Sequence, residues 1–119
     1  MVIGICRLEL ALPGNGSLKG KRRVRQSLID RARRKFNLAV AEVEALDRHQ
    51  RLVLGAVCVS NDAVHANRAL QRFVSWVEDT GLAVVQQVAT ELVRPTGLDF
   101  PLFREGAVNG DTAASTEGC

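Results

Sequence analysis

Along residues 2–12 apolar and polar positions alternate, with Cys6, Leu8, Leu10 and Leu12 on one side and Ile3, Ile5, Arg7 and Glu9 on the other. A period of two describes a strand with one greasy face. Pro13-Gly14-Asn15-Gly16 ends the alternation, and Ser17 stands where a hydroxyl would cap a helix. From there the period changes. At 100° per residue Val24, Leu28, Ile29, Ala32 and Phe36 share one arc, while Arg22, Arg23, Arg31, Arg33 and Arg34 fill the rest, which predicts an amphipathic helix with a basic wet side. Arg25 falls inside the apolar arc, where a long side chain reaches solvent by snorkelling.

Residues 37–45 and 50–60 read as a strand pair around a turn at 46–49. Ser60-Asn61-Asp62 supplies capping chemistry for a second helix running to about residue 80. Ala66, Leu70, Phe73 and Val77 form its inward stripe, Gly81 stops it, and residues 82–93 make a last strand before Pro95. The order β-α-β-β-α-β, with right-handed crossovers, predicts an α+β, ferredoxin-like domain: a four-stranded antiparallel sheet with both helices on one face. The reading assigns residues 1–103 to this single domain and 104–119, rich in Gly, Ala, Ser and Thr, to a disordered C-terminal tail.

A chain of 119 residues is long enough to bury roughly two thirds of its unfolded surface without staples. Cys6, Cys58 and Cys119 show no CxxC pair and no metal-ligand spacing, the usage of a reducing cytoplasm. Arg7 and Glu9 interrupt the apolar start and no apolar run reaches spanning length, so neither a signal peptide nor a membrane segment is expected. Charge changes the picture more. Residues 19–35 hold nine Lys or Arg against the single acid Asp30, a net +8, while the remaining seven basic and twelve acidic residues sum to −5. Positive charge concentrated on one helix points to a polyanionic partner.

Candidate chemistry narrows the choice further. Gly16 and Gly20 are separated by three residues, and Lys21 is followed by Arg22; a phosphate-binding P-loop needs four residues and a hydroxyl after the lysine. Gly14, Gly16 and Gly20 also miss the dinucleotide spacing by one. His49 and His65 lack partners at ligand or base spacing and read as surface residues; Cys6 and Cys58 read as small core residues that become cross-strand neighbours if the first and third strands pair. Glu42 and Glu44 alternate on one strand and are expected to share a face, as solubilising charges of an edge. The chain is therefore read as non-enzymatic, with no cofactor and no metal.

A recognition sheet that stacks bases needs aromatic residues on its strands, and here Phe36, Phe73, Trp76, Phe100 and Phe103 all fall elsewhere. What remains is contact with phosphates by Lys19, Lys21, Arg22, Arg23, Arg31, Arg33 and Arg34, with Ser17 orienting the helix. His65, Arg68, Arg72 and Trp76 make a second stripe, read chiefly as a cap on the core edge.

Several of these residues resemble the YlxP-like bacterial proteins, a family of unknown function. The likeness runs from residue 2 to about 93. It rests on Ser17-Leu18-Lys19 with Lys21-Arg22-Arg23, Ser27-Leu28 with Asp30-Arg31, Phe36-Asn37 with Ala41-Glu42-Val43, and Val59-Ser60-Asn61-Asp62. The resemblance implies a ferredoxin-like fold, and genes neighbouring translation-initiation and ribosome-maturation genes, hence a ribosome- or RNA-associated role. Gly20 and Arg25 depart from the family, which usually has a helix-favouring and an apolar residue there. The expectation is a cytoplasmic protein that binds ribosomal or other structured RNA. The alternative is a homo-oligomeric ligand-binding or assembly module without nucleic acid, joined through the exposed Ile3, Ile5, Val53, Val57 and Val59.

Overall fold

The computed structural model describes residues 1–97; the last part of the expected domain and the expected tail at 104–119 lie outside the described residues. Six elements follow in the expected order: β1 (Val2–Ala11), α1 (Leu18–Lys35), β2 (Ala39–Glu44), β3 (Arg51–Ser60), α2 (Ala63–Thr80) and β4 (Val84–Val93). They form one antiparallel sheet in the order β2-β3-β1-β4. Both β-α-β crossovers therefore skip a strand, the ferredoxin-like split arrangement.

Local chemistry sets the element ends. Ser17 caps α1 by accepting from the Gly20 amide, Asp62 caps α2 by accepting from the Val64 amide, and Gly81 closes α2 in the left-handed region at φ 69°. The alternating residues Val2, Cys6, Leu8 and Leu10 of β1 meet Leu52, Leu54, Ala56 and Cys58 of β3 on the buried side of the sheet. Leu28, Ile29 and Ala32 of α1 and Ala66, Leu70, Phe73 and Val77 of α2 cover them. Where the helices meet, Phe36, Phe73 and Trp76 pack with ring centroids 5.7 to 6.4 Å apart. Trp76 thus caps the core edge.

Cys6 and Cys58 are buried free thiols, but the register sets them diagonally: Cys58 opposes Gly4, and Cys6 opposes Ala56. Burial pushes the Cys6 thiol up to about 11, so it is a packing residue and a poor nucleophile. Among the described residues no helix is long and apolar enough to cross a membrane, and no three His, Cys, Asp or Glu side chains gather to hold a metal ion.

Candidate nucleic-acid interface

The basic residues of α1 divide into an inner and an outer set. Lys21 is 1% exposed. Its ammonium lies 2.8 Å from Glu42 Oε2 and donates to the Ala45 carbonyl at 2.6 Å. Arg25 donates to the other oxygen of the same carboxylate at 2.9 Å. Lys21 is therefore withdrawn from the expected contact set: it is a buried structural cation. The sequence carries the signal, because Lys21 lies seven residues before Leu28 and eleven before Ala32, inside the apolar arc. Helix-to-sheet packing carries a Lys at that phase indoors, and a charge indoors requires a counter-charge.

Glu42 supplies that counter-charge because of a bulge. Glu42 opposes Leu54 on the helix side of the sheet, whereas Glu44 opposes Val53, after a register shift between the two glutamates. Strict alternation would have put them on one face; one extra residue in the ladder puts them on opposite faces. The Glu42 side chain is 6% exposed. Its Oε2 meets the Lys21 charge at 2.8 Å and accepts no well-aligned hydrogen bond among the described residues.

On the open face Glu44 joins a different set. Arg7 reaches over β3 to clasp both Glu44 oxygens, with Nη2 to Oε1 at 2.9 Å, and Arg51 clasps Glu9 through two 3.1 Å contacts. Arg7 also approaches Glu9 at 3.6 Å. The Arg7 clasp holds the Glu44 carboxyl below its usual range, and Arg51 does the same to Glu9. Beneath this lattice Val53, expected to be exposed, is fully buried. Gly55 opposes Arg7, and a Cβ there would come within 3.0 Å of Val43, so the absent side chain lets the neighbouring strands' side chains close over β3. Ile5, Val57 and Val59 do remain exposed on this face, and Ile3 is half-buried.

The outer set consists of Lys19, Arg22, Arg23, Arg31, Arg33 and Arg34, with Lys35 beside them; all are exposed. Among the described residues none of them pairs with a carboxylate. Three guanidinium groups are held by the protein itself. Arg33 donates to the Val40 carbonyl at 3.1 Å, Arg34 to the Asp30 carbonyl at 3.3 Å, and Arg31 sits 5.7 Å from the centre of the Trp76 ring. Each has five N–H donors, so one internal bond orients the fork and leaves the others for a ligand.

At the start of α1, Gly20 has a specific reason. A Cβ there would collide with the Asn15 side chain, whose amide bridges the Ser17 and His49 carbonyls. The turn and the hairpin tip are thereby tied to the first turn of the helix. An open groove of about 450 Å³ lies alongside, lined by Asn15, Gly16 and residues 47–51. On α2, His65, Arg68 and Arg72 line a second shallow groove of about 440 Å³ with Gln71 and Ser75. His65 differs from the surface reading: it is half-buried, and its Nε2 is shielded and has no hydrogen-bond partner among the described residues.

With this geometry in place, the relatives are informative about lineage. Residues 3–90 match the family described as "Protein of unknown function (DUF503)". The Bacillus subtilis (strain 168) protein YlxP, itself uncharacterized, is 32% identical over 77 residues, which is 65% of this chain and 84% of that protein. Among solved structures, a REP-associated tyrosine transposase bound to a REP hairpin aligns with 87% of this chain at a TM-score of 0.40 and 9% identity; the chain spans 61% of its length. The protein belongs to the DUF503, YlxP-like family of unknown function.

Proposed function

We propose that this protein is a non-enzymatic, cytoplasmic RNA-binding protein that grips the phosphates of structured RNA with the outer side of α1. Ribosomal RNA, during ribosome maturation or translation, is the first candidate. The observation that carries the reading is the separation of charges on α1. Glu42 consumes Lys21 and Arg25 inside, while Lys19, Arg22, Arg23, Arg31, Arg33 and Arg34 are exposed and, among the described residues, form no ion pair with a carboxylate. An unneutralised stripe over an 18-residue helix (about 27 Å long) matches a run of backbone phosphates in length and sign. Contacts of this kind fix position and leave sequence unread.

The test is co-sedimentation with ribosomal particles, and filter binding to a structured RNA, across a salt series. With about six phosphate contacts, affinity is expected to fall roughly three orders of magnitude between low and moderate salt. Arg22→Glu with Arg23→Glu abolishes co-sedimentation at low salt and leaves the circular dichroism spectrum unchanged. Unchanged co-sedimentation in that folded variant refutes the proposal.

A second reading, self-assembly without nucleic acid, draws on the exposed apolar groups of the sheet, Ile5 and Val57 on the open face and Val88 and Leu92 on β4. Sedimentation equilibrium separates it from the first, since a monomer at tens of micromolar removes it.

A further inference from the structure

The two edges of the sheet are built differently. β2 has six residues, two of them glutamates, and carries a bulge, the usual ways of blunting an edge. β4 has ten residues, VVQQVATELV, with Glu91 its only charge and neither Pro nor Gly. Among the described residues it is laddered to β1 on one side only, so the outward-pointing amides and carbonyls of its other side offer a row of donors and acceptors. α2 packs on β4 only in part and leaves its later residues open. Val88, Thr90 and Leu92 oppose Leu8, Cys6 and Gly4, which places them on the helix side of the sheet. Yet Val88 is 42% and Leu92 41% exposed, and Thr90 is exposed too.

We infer that β4 pairs antiparallel with β4 of a second copy, about a two-fold axis at Thr90, joining two four-stranded sheets into one of eight strands. The inference rests on the self-assembly reading and confines it to one surface. The register follows from the sequence of the strand. A bulge interrupts β4 just before Gln87, so its regular stretch is Gln87 to Val93, and the centre of that stretch is Thr90. An axis there sets Val88 opposite the partner's Leu92 on the helix side, Thr90 opposite Thr90, and Glu91 opposite Ala89 on the other face. Apolar meets apolar, hydroxyl meets hydroxyl, and no charge faces its like directly. An axis at Glu91 would set two carboxylates opposite one another; an axis at Val88 would run the ladder into the bulge. The contact is isologous, so it closes after two copies. The short, bulged β2 then forms both outer edges, which stops further growth.

Sedimentation equilibrium on the full chain is expected to show a dimer at micromolar concentration. Val88→Lys with Leu92→Lys faces like charges across the axis and is expected to raise the dissociation constant on the order of 100-fold. Val88→Glu with Leu92→Lys sets opposite charges at the same places and restores much of the association. Both positions are already exposed, so the fold survives the changes. For the register itself, Thr90→Cys in a Cys119→Ser background is expected to give a covalent dimer on mild oxidation. Directly opposed Cα atoms lie about 4.5 to 5.5 Å apart, within disulfide reach. Ala89→Cys, whose copy lies on the diagonal at roughly 7 to 8 Å, is expected to stay reduced. A wild-type monomer at tens of micromolar, as when residues after 97 of the same chain cover the edge, overturns this inference and the self-assembly reading together. A dimer indifferent to the Val88 and Leu92 changes, with no Thr90→Cys crosslink, overturns only the inference and moves the interface elsewhere on the sheet.

Discussion

Glu42 and Glu44 are two residues apart on one strand, and their surroundings have little in common. Glu42 lies indoors between Lys21 and Arg25, where the desolvation of each ion must be offset by the others. Glu44 lies in a wet lattice with Arg7, Glu9 and Arg51, where water screens every pair. A third population, the outer cations of α1, has no acidic partner among the described residues. Equal formal charges therefore do three jobs: locking a helix to a hairpin, roofing a valine, and standing free for a ligand. Availability, not the count of basic residues, decides what α1 can bind.

Substitutions that move residues between these roles should have graded effects. The largest is expected for Glu42→Leu, which leaves the Lys21 ammonium buried without its counter-charge; urea denaturation should show a loss of about 3 to 5 kcal/mol. Adding Lys21→Met to that variant should recover most of the loss, and a double variant as unstable as the single would show that burial of charge is not the cause. Next comes Gly55→Val, whose side chain must displace Val43 and the Arg7–Glu44 clasp, at about 1 to 3 kcal/mol in the same assay. Reversal of Arg22 and Arg23 to Glu should leave stability within about 0.5 kcal/mol while removing RNA binding. A large destabilisation there would mean the outer set is structural after all.

The smallest effect is expected for Arg7→Met, and pH should reveal it. Arg7 depresses the Glu44 pKa in the folded protein, so the pair stabilises the fold above the ordinary carboxylate range and loses that contribution as pH falls through the folded value. The gap in thermal midpoint between wild type and Arg7→Met should be widest near neutrality and close on acidification. It should also narrow with added salt. A gap that widens in acid would refute the assignment.

Much of this could be read along the chain, because much of it is periodic. The two-residue alternation of β1, the Ser17 and Asp62 caps and the Gly81 stop give the elements to within two residues. What was not legible depends on an offset or on distance in sequence. Alternation has no term for an extra residue, so the β2 bulge moved Glu42 to the helix side unannounced. Composition groups Lys21 with its basic neighbours, whereas its helical phase puts it with Leu28. Its partner lies 21 residues away on another element, beyond any local pattern. The burial of Val53 escapes the pattern for a related reason: a strand pattern says which face a side chain takes, but not that an arginine from the next strand reaches over β3 to the far side. The exposure of β4 likewise reflects how far α2 extends over the sheet, a matter of tertiary packing.

One small tether has a further consequence. The Asn15 amide holds the His49 carbonyl, and Lys21 holds the Ala45 carbonyl in a residue with φ of 57°. The tip of the β2–β3 hairpin is thus fastened at two points to the opening turns of α1, and the two should behave as one mechanical unit. A macromolecule that seizes the exposed guanidinium groups would also steady the hairpin, and slower amide exchange at residues 46–50 would register its arrival from a distance.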